Sequence, residues 1–153
     1  MIRIASPIAL TAAFTGLVAI ASVGHAQGEA SDPEVKARMA LMKKIGSQTK
    51  ILGDMAKGDT AFDATAAQEA ATTMAAAAGE IPALFEPQAT DPESEAKPII
   101  WEQWSDFTQK AIDLETAATS ASTTITDQAS LGPAMREIGG ACRACHETYR
   151  ESD

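Results

Sequence analysis

Apolar residues recur every three or four positions along four stretches of this chain, as they do on the buried face of an amphipathic helix. No stretch shows the alternation of apolar and polar residues that is typical of a half-buried strand. The first stretch runs from Pro33 to Lys57. Asp32 before it is a good N-cap, and Gly58 after it is a typical helix end. The sequence therefore predicts an all-α fold, beginning with a helix over 33–57.

The second stretch is rich in alanine, the residue with the highest helix propensity. Asp63 caps it, and the predicted helix runs to about Glu80. The segment Ile81–Lys97 is predicted to be a loop because it contains three prolines, which interrupt helices. These prolines are Pro82, Pro87 and Pro92.

Two further helices are predicted in the remainder of the chain. One opens at Pro98 and reaches about Thr124, and the other is capped by Ser130 or Asp127. The last helix has one continuous face made of Leu131, Met135, Ile138, Cys142, Cys145 and Tyr149. Four amphipathic helices in about 120 residues predict a four-helix bundle.

Residues 1–26 have the pattern of a secretory signal peptide. Arg3 gives the positive start, Ile8–Val23 is apolar or small, and Gly24 and Ala26 suit cleavage before Gln27. The alternative is a membrane anchor, but the apolar run falls short of the ~20 residues that a spanning helix needs. We expect residues 27–153 to form one four-helix domain that is exported to the periplasm, without stable membrane insertion.

The chain of 153 residues is acidic, with a net charge of -9. Removal of Arg3 with the signal peptide would make the charge -10. We expect no nucleic-acid partner, because such binding depends on basic patches. The bulk charge suggests partner surfaces that are basic, although solubility explains the charge equally well.

The residues Cys142, Cys145 and His146 form the motif C-x-x-C-H, which is the attachment signature of c-type haem. Positions i and i+3 lie on one face of a helix, so both thiols can reach the two vinyl groups of one porphyrin. The adjacent imidazole of His146 then supplies the proximal iron ligand. We therefore expect one covalently attached haem c.

Three other uses of this motif are alternatives to haem attachment. A structural disulfide would close only a very short loop and add little stability. A thioredoxin-type redox pair would accompany a strand in an α/β pattern, which this chain lacks. A zinc site would find three ligands here, but the chain after residue 26 has no other Cys or His to complete it.

The motif lies at the C-terminal end, and here the chain resembles the class II cytochromes c, that is cytochrome c prime and its low-spin relatives. The resemblance covers the mature chain and is carried by 139–150, 38–46, Ile81–Phe85 and Pro98–Trp101. It implies an antiparallel four-helix bundle with haem between the helices. It also implies a periplasmic electron carrier or, when the sixth iron position is open, a gas-binding protein.

The resemblance implies a sixth iron ligand as well. Met42 falls at the site that faces the distal side of the haem, where low-spin members carry methionine. Met39 is the second candidate, since it is three residues away. Met135 is excluded because it lies eleven residues before His146 on one helix, about 16 Å along the axis.

Two arginines match positions near the haem in the family. Arg38 corresponds to an arginine beside a haem propionate, although an ordinary solvated arginine is the alternative, and Arg150 corresponds to one beside the proximal ligand. The leading hypothesis is one-electron transfer between redox protein partners through a six-coordinate haem with His146 and Met42 on the iron. The alternative is a five-coordinate haem that binds nitric oxide or carbon monoxide. Nothing supports an enzyme, and family relatives suggest a homodimer through the first two helices.

Overall fold

The structure is a computed structural model that describes residues 29–152. Its five helices confirm the all-α prediction, and an isolated bridge between Ala96 and Arg150 is the extent of β pairing in this range. The helices are α1 Pro33–Lys57, α2 Ala64–Phe85, α3 Ile99–Glu102, α4 Trp104–Thr124 and α5 Gln128–Tyr149. The predicted signal peptide lies outside the described residues.

The ends of α1 are those predicted. The side chain of Asp32 accepts hydrogen bonds from the backbone N–H groups of Glu34 and Val35, at 2.8 and 3.1 Å. Gly58 closes the helix in the left-handed conformation, with φ 80°. Local capping chemistry therefore sets both limits of this helix.

The prediction that α2 ends at about Glu80 is wrong. The helix continues through Pro82 to Phe85, so part of the predicted loop is helical. The apolar face extends past the proline, because Met74, Ala78, Ile81 and Phe85 follow at helical spacing and are all buried. Burial of this face outweighs the hydrogen bond that the proline cannot donate.

The third predicted helix is divided. A break at Gln103, whose φ and ψ of -114° and 39° are not helical, separates the short α3 from α4. The start of α5 is settled in favour of Asp127, which is the N-cap. Ser130 occupies the third helical position and completes a reciprocal capping box with it.

The four long helices form a ring in which α1 packs on α2 and α5, and α4 packs on α2 and α5. The short connections between α1 and α2 and between α4 and α5 make each of these pairs antiparallel. The most extensive contact is between α2 and α4, whose buried faces are largely alanine. Within residues 29–152 no helix is long and apolar enough to cross a membrane.

Candidate haem-attachment site

A cavity of about 510 Å³ lies at the end of the bundle where α5 finishes. Its lining includes Cys142, Cys145 and His146 from α5, together with Met42 from α1. The volume falls within the range of about 300–1,000 Å³ that is usual for small-molecule and cofactor sites. The structure therefore brings the predicted attachment motif and the predicted sixth ligand to one space.

The walls of this cavity suit a flat, apolar ring. They are built from large side chains of α2, α3 and α4, namely Ile81, Phe85, Ile100, Phe107 and Leu114. Two thiols and an imidazole on one wall, with apolar surface around them, are the donor set and the surroundings that a covalently attached haem requires. The residues present fit that group.

Cys142 and Cys145 are half-buried free thiols. Burial raises the pKa of the Cys145 thiol to about 11 and raises that of Cys142 as well. The structure holds the two thiols unpaired. No three His, Cys, Asp or Glu side chains in residues 29–152 are grouped to hold a metal ion, which disfavours the zinc alternative.

His146 lies at the mouth of the cavity, one residue after the second thiol, and is exposed. Desolvation of the ring against the cavity lowers its pKa, and the positive charge of Arg150 lowers it further, while Glu95 opposes the shift. A lowered pKa favours the neutral imidazole, which is the form that binds iron.

The methionines of the described chain divide into two groups. Met39 and Met42 line the cavity, and Met42 is half-buried whereas Met39 is 36% exposed. Met55 and Met74 are buried in the core, away from the cavity lining. Met135 is also absent from the lining; its Cε would lie 3.8 Å from a Cβ placed on Gly53. This distribution leaves the two methionines that the sequence had singled out.

Arg38 lines the cavity, but it is not the solvated arginine that the sequence allowed, because it is only 3% exposed. Its guanidinium donates to three backbone carbonyls, one in the last turn of α2 and two in the segment after it. Nε bonds Leu84 at 2.9 Å, Nη1 bonds Ala89 at 3.0 Å, and Nη2 bonds Pro87. Burial lowers the pKa of Arg38. The side chain thus fastens this segment to α1 one turn before Met42.

Two aromatic rings lie within cation–π distance of the same guanidinium. The Cζ of Arg38 lies 5.0 Å from the ring centre of Phe85 and 5.5 Å from that of Trp101. Trp101 in turn donates from Nε1 to the carbonyl of Phe85 at 2.7 Å. Trp101 therefore packs behind the cavity wall rather than lining the cavity.

Arg150 also lines the cavity, four residues after His146. It follows the last residue of α5, and its Nε donates to the carboxylate of Glu95. The backbone around it is hydrogen-bonded to the segment before α3. The N–H of Lys97 donates to the carbonyl oxygen of Tyr149 at 2.9 Å, and the N–H of Glu151 donates to the carbonyl oxygen of Glu95 at 2.8 Å. The chain end beyond the haem motif is thereby anchored.

A polar network around the buried ring of Tyr149, which no sequence pattern predicts, lies next to the motif. The Tyr149 hydroxyl donates to Asp106 Oδ2, 2.6 Å away, and lies 3.1 Å from Gln103 Oε1. Burial and the bond to Asp106 raise the pKa of Tyr149 to about 12. The ring packs edge-on against Phe107, with centres 5.3 Å apart. This network joins α5 to α4 next to Cys145.

Known proteins resemble this chain in sequence and in fold. Residues 33–150 match the family model described as Cytochrome C'. The chain is 43% identical over 116 residues to cytochrome c-556 of Agrobacterium tumefaciens (strain apple 185), covering 74% of this chain and 91% of the relative. It is 42% identical over 124 residues to cytochrome c-554 of Cereibacter sphaeroides, covering 78% and 93%. The solved structure of cytochrome c' from Rhodopseudomonas palustris superimposes with a TM-score of 0.75 at 32% identity, covering 80% of this chain and 98% of that one.

Proposed function

The chain belongs to the cytochrome c′ family, and from that membership we propose that it is a periplasmic one-electron carrier with a six-coordinate, low-spin haem. As a cytochrome c it carries a single covalent haem c. When bound, this group supplies an iron that alternates between the ferric and ferrous states. We assign its thioether links to Cys142 and Cys145 and its proximal ligand to His146.

The observation that carries the proposal is the position of Met42. It lines the same cavity as His146 from a different helix, it is half-buried, and Arg38 anchors its helix one turn away. Relatives named cytochrome c-556 and c-554 match over most of the chain, and they support the assignment to the methionine-ligated subgroup. A thioether at the sixth position would leave the iron without a vacant site.

The competing function is binding of nitric oxide or carbon monoxide by a five-coordinate haem. It is favoured by the likeness to cytochrome c′ of Rhodopseudomonas palustris. The two functions differ in whether the Met42 sulfur would bind the iron. The rate of carbon monoxide binding distinguishes them.

The experiment compares carbon monoxide binding to the reduced holoprotein in wild type, Met42→Ala and Met39→Ala. In wild type the gas must displace a thioether, so binding should be slow. Met42→Ala should bind faster by at least about tenfold, a difference of about 1.4 kcal/mol in barrier, and should have a lower reduction potential. Met39→Ala, the matched control from the same helix, should behave as wild type. Fast binding by wild type would instead support the gas-binding function.

We also propose that residues 1–26 direct export and are removed. The mass of the purified protein should then equal the chain from Gln27 plus one haem, and acid-acetone extraction should leave the haem attached. A homodimer through α1 and α2 stays a prediction, which sedimentation of the holoprotein tests.

A further inference from the structure

Four exposed lysines follow one another along α1 at intervals of seven residues. Seven residues are close to two helical turns, so these side chains lie on one strip of the helix. The strip spans 21 residues, which is about 31 Å at 1.5 Å per residue. Its members are Lys36, Lys43, Lys50 and Lys57.

This lysine strip borders the cavity. Met39, Gly46 and Gly53 fall between the lysines at spacings of three and four, so they share its side of α1. Met39 and Gly46 line the cavity, and Gly53 faces Met135 of α5, whose Cε would be 3.8 Å from an added Cβ. The strip therefore lies where α1 meets α5, at the opening of the cavity.

The facing helix carries a matching strip. Arg136 and Arg143 are spaced by seven residues on α5 and are exposed, and Arg150, directly after the helix, is exposed and lines the cavity. His146 falls between the last two, at spacings of three and four, and it lines the cavity. We call the surface formed by these three arginines and the four lysines of α1 the α1–α5 face.

Carboxylates also border this face, and Glu93 and Glu95 line the cavity beside it. Three of its cations pair with carboxylates: Lys36 with Glu29 at 3.8 Å, Lys50 with Asp54 at 2.6 Å, and Arg150 with Glu95. Glu147 lies on the exposed side of α5. Lys43 follows Met42 in the chain and Arg143 follows Cys142, and both of these neighbours line the cavity.

The opposite side of the bundle has the reverse charge. The α2 sequence contains Glu69 and Glu80 and no lysine or arginine. The α4 sequence contains Asp106, Asp113 and Glu115 with a single lysine, Lys110. An acidic chain thus concentrates seven of the 11 basic residues that follow residue 26 on the one face where the cavity opens.

We propose that the α1–α5 face is the docking surface for an acidic redox partner. The inference rests on the proposed electron-carrier function and names the partner chemistry for that same site. The local field over a surface guides close approach more strongly than distant charge, which salt screens beyond about 8–10 Å. A partner with a carboxylate-rich patch would therefore meet the protein at the cavity opening, although bulk charge alone suggests a basic partner.

The first experiment maps anion binding without electron transfer. Hexacyanochromate(III), a redox-inert paramagnetic trianion, is titrated into the isotope-labelled holoprotein at low salt, and amide line broadening is recorded. Broadening should concentrate at residues 39–46 and 139–147, with little on α2 or the exposed side of α4. Broadening that is uniform, or absent from the α1–α5 face, would overturn the proposal whatever the haem ligation proves to be.

The second experiment uses ferricyanide, which takes one electron from the reduced holoprotein and becomes ferrocyanide. The variants are Lys43→Glu and its neighbour Lys44→Glu, which change net charge equally. Lys44 lies toward α2, where its Nζ is 3.7 Å from Glu80. Lys43→Glu should slow the oxidation about threefold or more at low salt, within the range of electrostatic steering, and Lys44→Glu should do so much less.

The dependence on salt completes this test. The wild-type rate with ferricyanide should fall as ionic strength rises, and the rate with a cationic cobalt(III) phenanthroline oxidant should rise. Equal effects of the two variants, or a wild-type rate that rises with salt in ferricyanide, would contradict an anion-docking face. A protein that reacts with neither oxidant but shows localised broadening would instead contradict the electron-carrier function alone.

Discussion

The interface between α2 and α4 is closely packed, whereas the interface between α1 and α5 borders a cavity. The buried faces of α2 and α4 are mostly alanine, with Ala71, Ala77 and Ala118 all at 0% exposure, so the helices approach closely. The interface of α1 with α5 is less extensive, and next to it lies the cavity lined by Met42 and His146. The contact between α2 and α4 closes the bundle, and the smaller contact between α1 and α5 lies beside the space for the cofactor.

The two interfaces differ in charge as well as in packing. Exposed carboxylates dominate α2 and α4, while lysines and arginines follow the cavity side of α1 and α5. A close-packed scaffold needs no access to partners, whereas a redox site does. We infer that the contact between α2 and α4 mainly stabilises the bundle, and that α1 and α5 supply the cofactor-binding residues and the surface for partners.

The largest effect should come from emptying the cavity. In Cys142→Ala combined with Cys145→Ala, the haem cannot be attached and a space of about 510 Å³ lacks its apolar filling. We expect a loss of stability on the order of 5 kcal/mol, because unfilled apolar volume costs about 24 cal/mol per Å³ and water and side chains fill part of it. Denaturant unfolding measures the loss.

Hydrogen exchange of the same double variant tests the difference between the interfaces. Amides of α1 and α5 should lose protection first, while those of α2 and α4 keep most of theirs. Ala144→Ser, at the exposed position between the cysteines, is the control and should retain haem and stability. Uniform loss of protection would show that the four helices unfold as one unit.

Arg38 joins the cavity side of α1 to the segment after α2, and removing its donors should have the next largest effect. Arg38→Met removes the donors to the carbonyls of Leu84, Pro87 and Ala89. We expect a loss of about 2–4 kcal/mol, since a hydrogen bond from a charged group contributes about 1.5–3 kcal/mol and water replaces part of the loss at these partly exposed carbonyls. Arg38→Lys should recover part of the loss. A cost below about 0.5 kcal/mol for Arg38→Met would mean that the segment does not depend on Arg38.

The close packing of α2 against α4 predicts intolerance to larger side chains. Ala77→Leu should cost about 1–3 kcal/mol by overpacking, and the haem spectrum should stay unchanged. Ala76→Leu is the control, because Ala76 is exposed on the same turn. Equal urea midpoints for the two variants would contradict the packing account.

The smallest effect concerns Asp91, which holds the residues before α1. Its Oδ2 accepts from Ser31 N–H at 2.8 Å and Asp32 N–H at 3.0 Å, and its Oδ1 accepts from Glu93 N–H at 2.9 Å. Bonds from the N–H groups of Asp32, Glu93 and Ser31 hold the pKa of Asp91 well below its usual range.

The direction of the pH effect follows from that lowered pKa. The stabilisation by Asp91 is fully present above the unfolded pKa of about 4 and declines as the pH falls from there toward the folded pKa. Asp91→Asn should therefore be less stable than wild type at pH 7, and the difference should shrink at pH 3. Unfolding curves at the two pH values measure it. A difference that does not change with pH would exclude the charge of Asp91 as the cause.

Local signals predicted the fold well. Asp32 and Gly58 flank α1, and the C-x-x-C-H spacing marks α5 as the helix that carries the attachment motif. Proline alone predicts too early an end for α2, because burial of Ile81 and Phe85 keeps the helix intact past Pro82. The break at Gln103 leaves no local signal, since neither glycine nor proline stands there.

The contacts around the site could not be predicted from the sequence. The bonds of Arg38 join residues 46 to 51 positions apart, and the bond of Tyr149 to Asp106 spans 43. Such contacts depend on how the helices pack, which periodicity does not specify. The sequence contains the seven-residue spacing of Lys36, Lys43 and Lys50. Only the packing of α1 on α5 shows that these lysines lie beside the cavity.

The most direct test of the account is the absorption spectrum of the reduced holoprotein, recorded for wild type and Met42→Ala. A low-spin spectrum is expected for wild type, since both Met42 and His146 would bind the iron. A high-spin spectrum is expected for Met42→Ala, in which that sulfur is gone. A wild-type protein that is already high-spin, or a Met42→Ala variant that stays low-spin, would contradict the assignment of Met42 as the iron ligand.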